Sequence, residues 1–370
     1  MSEALESITT TIVDLPTRRP HGFANTTMGL QSLVVVEARS GDGLVGIGEG
    51  VTPGGPWWGG ESVEGIKLMI DSYLAPAVLK LSNSYPRTAM HAMDRHVSGN
   101  SFAKAAVEMA LWDLLGKRAG LSVAELLGGP AHATFAITWA LSAEDAPKVA
   151  DEAGAKLAEG YRGFKFKMGA IDADQDIARV EAIREKLPED IFAVVDPNGT
   201  WDEHAARLSL PALAAFGIDV AEQPVPGWNK DALARLRGCA PIRVLADESA
   251  QTVQDAIALG RLMAADSVSL KVPKSGGIGR AAEMANIALA SGIDLYGGTT
   301  LESSIGTAAG AQLFATWPRV IACELVGPQL LKEDIVVEPI RYRDGQLEVP
   351  AGPGLGVDLD QEKVQFYARR

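Results

Sequence analysis

The chain has 370 residues, of which 47% are hydrophobic and 22% are charged, and its formal net charge is −13. A chain of this length predicts one large barrel or two closely packed domains rather than a single small core. The acidic balance argues against nucleic acid and anionic membrane surfaces as partners, because both are bound through clustered lysine and arginine.

Cysteine usage and the N-terminal sequence favour a cytoplasmic protein. Cys239 and Cys323 are the only cysteines, too few for a disulfide framework or a thiolate metal site. The N-terminal stretch MSEALESITTTIVDLPTRRP lacks the basic and then apolar layout of a signal peptide. No run approaches the ~18 apolar residues of a membrane span. We therefore expect a cytoplasmic location and no membrane partner.

The first third of the chain predicts an α+β module. Two strand-like stretches, TTIVDLP and LQSLVVVEARSGDGLVGIGEG, precede helical segments after Ser62, and a Gly-Asp-Gly turn divides the second stretch. Residues 52–60, TPGGPWWGG, are too rich in glycine and proline for regular structure, so Trp57 and Trp58 are placed on a loop. We expect residues 1–130 to form an N-terminal capping domain.

From about Phe135 the pattern changes to short β-branched runs, each followed by an alanine-rich helical stretch, which is typical of βα units. Eight such runs predict a (β/α)8 barrel over residues 131–331. The tail, residues 332–370, has an Asp-Gly turn in YRDGQLEVP and is expected to return to the cap. The predicted strands are residues 136–141, 164–168, 192–196, 219–223, 242–247, 267–272, 294–298 and 321–325.

Five consecutive predicted strands end in an ionisable residue. Successive members of this set lie 24 to 29 residues apart, about the length of one βα unit. Active sites of such barrels lie at the carboxyl ends of the strands, so the five side chains should meet at one mouth. They are Lys167, Asp196, Glu222, Asp247 and Lys271.

The three carboxylates of this set predict a metal site. Converging carboxylates repel one another unless a cation neutralises them. All-oxygen ligation suits Mg²⁺ or Mn²⁺, and no His or Cys at these strand ends points to a softer metal. Asp196, Glu222 and Asp247 are therefore the predicted ligands of one divalent ion. A single acid of this kind could equally be a helix cap or a surface residue, but three in register favour the metal.

The lysines at the predicted strand ends indicate proton-transfer chemistry. Lys165 and Lys167 point to one face of their strand, with Phe164 and Phe166 on the other. Mutual repulsion, burial and a nearby cation are all expected to lower a lysine pKa, which produces a usable base. Lys271 would face the opposite side of a bound substrate. Lone lysines at strand ends are ordinarily solvated, but two beside a metal suit removal or delivery of a proton α to a carboxylate.

Seven motifs together resemble the enolase superfamily and, within it, the muconate lactonizing enzyme (muconate cycloisomerase) subgroup: FKFKMG, VVDPNG, AEQP, ADES, SLKVPKSGG, YGGTTLESSIGT and CELVGP. The resemblance covers nearly the whole chain. It implies a reversible, Mn²⁺- or Mg²⁺-dependent lactonization of cis,cis-muconate to muconolactone through an enediolate. The small dicarboxylate would come from catechol breakdown by the β-ketoadipate pathway, and the protein would be a homo-oligomer, an octamer.

The resemblance also implies roles for individual residues. Lys167 would be the proton donor and acceptor. Lys165 would modulate Lys167 and contact a substrate carboxylate, and Lys271 would stabilise charge from the opposite face. Glu324 matches an acidic catalytic position of the lactonizing site. Specificity would come from cap residues 19–28 and 52–60, although packing between cap and barrel is the alternative role for the two tryptophans. The implied substrate contacts are Asn198, Glu302, Trp57 and Trp58.

Departures from the resembled pattern leave the substrate open. Pro197 and Gly199 stand where these enzymes tend to have Val and Gln, and TTLES stands where they have TMLEG. A chloromuconate cycloisomerase is the nearest alternative, and its dehalogenating members often carry Asp where this chain has Glu302. The stereochemistry of addition and the choice between Mn²⁺ and Mg²⁺ stay open as well.

Other classes remain as alternatives. An N-acylamino acid or dipeptide racemase, or an o-succinylbenzoate synthase, would use the same two lysines. Dipeptide epimerases carry an Asp-x-Asp signature where this chain has Cys323-Glu324-Leu325, and acid-sugar dehydratases place a His on the seventh strand, which here holds Tyr296. A non-catalytic metal-binding protein would be favoured by loss of a lysine or carboxylate at the mouth, and all five are present.

Overall fold

The protein is described here by a computed structural model that covers residues 4–24, 26–83 and 85–370. An antiparallel sheet of three strands opens the chain, in the order β1-β2-β3. The expected Gly-Asp-Gly turn joins β2 to β3, where Gly43 adopts a positive φ of 84°. The strands are β1 (Leu5–Gly22), β2 (Thr27–Ser40) and β3 (Val45–Val51).

Helices cover one face of this cap sheet. Glycines alternate along β3, and a Cβ added at Gly46 or Gly48 would lie 2.0 or 2.1 Å from a backbone oxygen of the longest cap helix, α4 (Ser101–Ala119). Only glycine therefore allows the helix to lie this close to the strand. The other cap helices are α1 (Val63–Met69), a π-helical turn (Ile70–Leu74), α2 (Ala75–Val78), α3 (Pro86–His96) and α5 (Val123–Leu126).

Seven parallel strands form the second sheet of the fold, in the order β11-β10-β9-β8-β7-β6-β5. Sequential neighbours in one parallel sheet with helices between them are the arrangement expected of a barrel. The strands are β5 (Thr138–Leu141), β6 (Gly163–Lys167), β7 (Phe192–Asp196), β8 (Val220–Glu222), β9 (Arg243–Ala246), β10 (Ser267–Leu270) and β11 (Asp294–Gly297).

The eighth predicted strand, residues 321–325, is reduced to single bridges. Cys323 forms one parallel bridge to Ile137, beside β5, and another to Gly297 of β11. The backbone N–H of Thr138 donates to the Cys323 carbonyl at 2.7 Å, and the N–H of Glu324 donates to the Gly297 carbonyl at 2.8 Å. The segment thus joins both edges of the sheet and closes the barrel, as predicted, but with too few bonds to count as a strand.

Helices pack around the outside of the barrel. Val194, Val220, Leu245 and Tyr296 form an inner cluster, while the outward strand faces pack against the helices in the main core. The helices are α6 (Ala146–Ala158), α7 (Ala173–Arg184), α8 (Glu203–Ala215), α9 (Lys230–Leu236), α10 (Val253–Leu262), α11 (Val272–Ser275), α12 (Ile278–Ala290), α13 (Ser304–Phe314) and α14 (Gly327–Leu330).

The C-terminal segment contacts both halves of the molecule. The predicted Asp-Gly turn joins β12 (Tyr342–Arg343) to β13 (Gln346–Glu348), and β13 pairs with β4 (Thr134–Ala136). Ala136, predicted in the first barrel strand, therefore belongs to this small sheet. After α15 (Gln361–Tyr367), Ala368 bridges Val13 of the cap. The domain boundaries at residues 130 and 331 stay a prediction.

No helix in the described ranges is both long and apolar enough to cross a membrane.

Candidate active site

The five strand-end residues lie at one mouth of the barrel. Lys167, Asp196 and Glu222 are the last residues of β6, β7 and β8, whereas Asp247 and Lys271 each follow the last residue of their strand. Because parallel neighbours end at the same edge of the sheet, their side chains converge. All five are buried, with at most 7% of their surface exposed.

Each carboxylate of the set faces a lysine. Nζ of Lys167 lies 2.5 Å from Oδ2 of Asp196, and Nζ of Lys271 lies 2.5 Å from Oδ2 of Asp247. Nζ of Lys165 lies 2.6 Å from Oε2 of Glu222. Charges buried at this depth are stable only when they are paired, so these contacts account for the burial of six ionisable groups in one place.

Lys274, which sequence reasoning did not select, adds a fourth lysine. It follows the short helix turn after Lys271, and its Nζ lies 2.5 Å from Oδ1 of Asp247 and donates to the Asp247 carbonyl at 2.7 Å. Burial lowers the pKa of Lys274, and the charge of Asp247 opposes that shift. Its position in SLKVPKSGG, three residues after Lys271, was the available signal.

The lysine pKa shifts differ from the expectation. Burial lowers the pKa of Lys165, but the charges of Glu222 and Glu324 more than offset it, so the pKa lies well above its ordinary value. Burial and Asp247 act in the same opposing way on Lys271, whose pKa is also raised. Nearby opposite charge favours the charged form of a lysine, and for these two lysines it outweighs burial.

The three strand-end carboxylates offer only oxygen donors to a cation. Within residues 4–24, 26–83 and 85–370, no three His, Cys, Asp or Glu side chains are arranged as a metal cluster, and each of the three carboxylates contacts a lysine. Oε1 of Glu222 is nevertheless buried and finds no hydrogen-bond partner in this part of the chain. A buried carboxylate oxygen without a donor suits a hard cation. The residues present therefore fit Mg²⁺ or Mn²⁺.

Glu222 is the carboxylate for which a cation would matter most. Burial raises its pKa well above the ordinary value, the charge of Lys165 opposes this, and the charges of Asp196 and Asp247 add to it. Asp196 differs, because Lys167 and Lys165 more than offset its burial and hold its pKa below the ordinary range. An added positive charge would favour ionised Glu222.

A small cavity of about 20 Å³ lies above these residues, between barrel and cap. That volume holds little more than a water molecule, so a six-carbon diacid requires movement of the lining side chains or of the cap segments. Eight lining residues come from the barrel and five from the cap. The barrel residues are Ala140, Lys165, Lys167, Asn198, Lys271, Thr299, Leu301 and Glu324, and the cap residues are His21, Phe23, Pro53, Trp57 and Trp58.

Both predicted cap tryptophans line this cavity. Nε1 of Trp58 donates to Oε1 of Glu248 at 2.9 Å, and its ring lies over Nζ of Lys271 at 4.3 Å from the centroid. Trp57 donates to the Pro53 carbonyl at 2.6 Å and packs against Phe23, with ring centroids 5.0 Å apart. Trp58 therefore joins the cap directly to the barrel mouth.

Glu248 is a second acid that sequence reasoning did not select. It follows Asp247 in ADES and also accepts a hydrogen bond from Nδ2 of Asn198 at 3.3 Å. Burial raises its pKa to about 7, and the charges of Asp247 and Asp196 contribute. The predicted substrate residue Asn198 thus lies beside both Glu248 and Lys167, whose Nζ is 3.4 Å from Oδ1 of Asn198.

The two acids predicted near the last strands have different surroundings. Glu324 lines the cavity, contacts Nζ of Lys165 and accepts a hydrogen bond from the hydroxyl of Tyr296 at 3.2 Å. The carboxylate of Glu302 instead accepts from the backbone N–H and the hydroxyl of Thr300, at 2.8 and 2.7 Å, and from the hydroxyl of Thr299. Glu302 does not line the cavity.

Two known families match this chain, and together they cover most of it. Residues 148–364 match the family described as "Enolase C-terminal domain-like", and residues 7–128 match "Mandelate racemase / muconate lactonizing enzyme, N-terminal domain". The chain belongs to the muconate lactonizing enzyme subgroup of the enolase superfamily. Its resemblance to this subgroup, inferred from the strand-end motifs, is confirmed.

Relatives extend over the full length of the chain and carry two names. A muconate cycloisomerase from Pseudomonas putida is 44% identical and a chloromuconate cycloisomerase from Cupriavidus necator is 42% identical, with at least 99% of each chain covered. Among solved structures, a 2-chloromuconate cycloisomerase from Rhodococcus opacus 1CP is 51% identical, with a TM-score of 0.98, and covers 99% of this chain and 100% of that one. A muconate lactonizing enzyme from Pseudomonas fluorescens, complexed with muconolactone, is 43% identical, with a TM-score of 0.97 and 100% of both chains covered.

Proposed function

We propose that the protein is a muconate cycloisomerase (EC 5.5.1.1), an isomerase that converts cis,cis-muconate reversibly to muconolactone. The observation that carries the proposal is the placement of Lys165, Lys167 and Lys271 around one buried cavity, above three strand-end carboxylates. A site of this composition can hold a dicarboxylate and move one proton beside it. The reaction would belong to catechol degradation through the β-ketoadipate pathway.

A divalent ion, Mn²⁺ or Mg²⁺, belongs to this proposal. Asp196, Glu222 and Asp247 would hold one ion per subunit, as their all-oxygen donor set and the unpaired Oε1 of Glu222 support. When bound, the ion supplies positive charge that stabilises the negative charge gathering on a substrate carboxylate.

The lysines would perform the proton transfer and the positioning. Lys167, at the cavity wall, delivers a proton to the carbon α to one carboxylate during lactonization and removes it in the reverse direction. Lys165, held between Glu222 and Glu324, keeps its charge and binds a carboxylate oxygen. Lys271 lies below the ring of Trp58 and stabilises negative charge from the opposite side.

A chlorinated diacid is the second candidate substrate. The 51% identity to a 2-chloromuconate cycloisomerase exceeds the 43% identity to the muconate lactonizing enzyme from Pseudomonas fluorescens and the 44% identity to the muconate cycloisomerase from Pseudomonas putida. The two candidate substrates differ in the chlorine atom that the cavity between the cap segments and the barrel would have to accommodate. The alternative substrate that we propose is 2-chloromuconate.

The test is to follow the ultraviolet absorbance of cis,cis-muconate and of 2-chloromuconate with purified protein and Mn²⁺. Fast decay of cis,cis-muconate, with muconolactone identified by proton NMR in D₂O, supports the primary proposal. If kcat/KM is at least tenfold higher for 2-chloromuconate than for cis,cis-muconate, 2-chloromuconate is the substrate instead. Turnover of an N-acylamino acid alone would contradict both.

Assembly, location and partners are further parts of the proposal. We propose that the protein acts as a cytoplasmic homo-oligomer, an octamer, on a small dicarboxylate, without nucleic acid or membrane partners. Light scattering coupled to size-exclusion chromatography checks the assembly. A particle of one 39.0 kDa chain would contradict it.

A further inference from the structure

His21 lies near the end of cap strand β1 and lines the cavity. Only 1% of its surface is exposed, and its ring packs edge-on against Phe23 with centroids 4.8 Å apart. His21 has no part in the chemistry proposed for the lysines, the carboxylates and the two tryptophans. A buried imidazole at the wall of a reaction cavity is a residue whose hydrogen bonds need to be accounted for.

Arg19 determines which ring nitrogen of His21 carries the proton. Nη1 of Arg19 lies 3.0 Å from Nδ1 of His21. A guanidinium can only donate, so Nδ1 accepts and the proton of the neutral ring is on Nε2. Burial, followed by the charges of Arg19 and Lys167, lowers the pKa of His21 well below its ordinary value, which keeps the ring neutral.

Arg19 is itself held in place by the barrel. Its Nε and Nη2 donate to Oε1 of Glu152 on helix α6, at 3.0 and 2.7 Å, and Nη2 also donates to the carbonyl of Ala140 at 3.0 Å. The backbone beyond His21 is fixed as well, because the N–H of Gly22 donates to the Ser142 hydroxyl at 2.9 Å. The orientation of His21 is therefore built into the contact between cap and barrel.

The Nε2–H that results has no acceptor in the described part of the chain, although the atom is fully buried. Leaving a buried donor unpaired destabilises a protein, so an acceptor is expected from elsewhere. The cavity is the space that this side chain lines, and a substrate carboxylate oxygen is the acceptor that a dicarboxylate would bring there.

We infer that His21 is a substrate-binding residue whose Nε2–H donates to the carboxylate that the barrel-mouth lysines leave free. The inference rests on the proposed function, since it needs a diacid in the cavity. One end of the diacid would meet Lys165 on the barrel side, and the other would meet His21 on the cap side. His21 thereby binds the second carboxylate through a neutral N–H donor and adds no positive charge to the cavity.

Two substitutions of His21 distinguish the effect of its N–H donor from the effect of its ring shape. His21→Leu removes the donor, and kcat/KM for cis,cis-muconate should fall roughly 10- to 100-fold, mainly through KM, as for loss of a hydrogen bond to a charged group. His21→Gln places an amide N–H at similar reach and should recover most of the loss. His204→Leu, on the exposed face of α8, is the matched control and should leave both constants unchanged.

The monomethyl ester of cis,cis-muconate tests the role of the charge. It offers one carboxylate, so the ratio of wild type to His21→Leu should shrink several-fold relative to the diacid. An equal loss on both substrates, or an unchanged KM in His21→Leu, would overturn the inference. Thermal unfolding of each variant separates these outcomes from misfolding, and His21→Gln keeps the test available if the leucine variant does not fold.

Binding without turnover distinguishes this inference from the proposed function. The protein is labelled with ¹⁵N-histidine, which reports on its five histidines, and titrated with Mg²⁺ and adipate, an unreactive six-carbon diacid. The Nε2 resonance of His21, assigned from the His21→Gln spectrum, should shift while the other four stay unchanged. No shift, or no adipate binding by calorimetry, counts against the inference. A shift in a protein that turns over no muconate would contradict the proposed function alone.

Discussion

The carboxylate of Glu49, on cap strand β3, binds the N-terminus of barrel helix α13 through Ser303. Oε1 of Glu49 accepts from the backbone N–H of Ser303 at 3.0 Å, and Oε2 accepts from its hydroxyl and from the N–H of Gly306 at 3.1 Å. Glu108 of helix α4 binds α12 in the same way, through the N–H groups of Ile278 and Gly279 at 2.8 and 2.9 Å. Two buried cap carboxyl groups thus dock the cap on helix N-termini, where the backbone N–H groups need acceptors from outside the helix.

The contribution of Glu49 and Glu108 to the free energy of unfolding should decrease as pH rises from 5 to 8. Burial raises the pKa of Glu49 to about 8 and that of Glu108 to about 7, from an ordinary 4.5. Between these values the folded protein keeps protons that the unfolded chain has released, so the free energy of unfolding falls with pH. Denaturant unfolding of Glu49→Gln should show a pH dependence weaker by on the order of 3 kcal/mol. The exposed Glu283→Gln should behave as wild type, and an unchanged pH dependence in Glu49→Gln would refute the prediction.

Lys167→Ala should abolish turnover and leave metal binding intact. The substitution removes the group expected to move the proton, a loss of roughly 10²- to 10⁴-fold in kcat. Asp196, Glu222 and Asp247 remain, so Mn²⁺ affinity measured by calorimetry should stay within a few-fold of wild type. Lys186→Ala, on the surface, is the control. Activity within tenfold of wild type would remove Lys167 from this role.

Glu222→Gln should weaken Mn²⁺ binding and activity together. The substitution takes away the buried, ionisable oxygen that lacks a hydrogen-bond partner and replaces it with a neutral amide. We expect the Kd for Mn²⁺ to rise more than about tenfold, since even outer-sphere substitutions cost about 10- to 100-fold. Treatment with EDTA should inactivate the wild type, and added Mn²⁺ should restore it. Full activity after dialysis against EDTA would contradict metal dependence.

Trp58→Phe should lower kcat/KM moderately, and Trp58→Leu should lower it further. Phenylalanine keeps a ring over Lys271 but loses the hydrogen bond to Glu248, which corresponds to roughly a 5- to 10-fold effect. Leucine also loses the cation–π contact. Trp228→Phe provides the matched control, because 80% of that side chain is exposed. Equal kinetics in all three variants would reduce Trp58 to a packing residue.

The sequence by itself determined the repeating part of this structure. Hydrophobic runs at βα spacing predicted seven strands of the barrel within a few residues, and the strand-end positions of Lys167, Asp196 and Glu222 followed from them. Such features depend on local propensity and on the period of burial, both of which can be read along the chain. The same reasoning overestimated the eighth strand, where Cys323 has backbone partners on both sides but only at single bridges.

Only the tertiary structure decided how the side chains pair. The contacts of Lys165 with Glu222 and Glu324 join residues that lie 57 or more positions apart, and they reversed the expected direction of the Lys165 pKa shift. The proton position on His21 likewise depends on Arg19, which the distant Glu152 holds in place. Electrostatic shifts and hydrogen-bond partners depend on distances of a few ångströms across the fold, and no local pattern in the chain carries those distances.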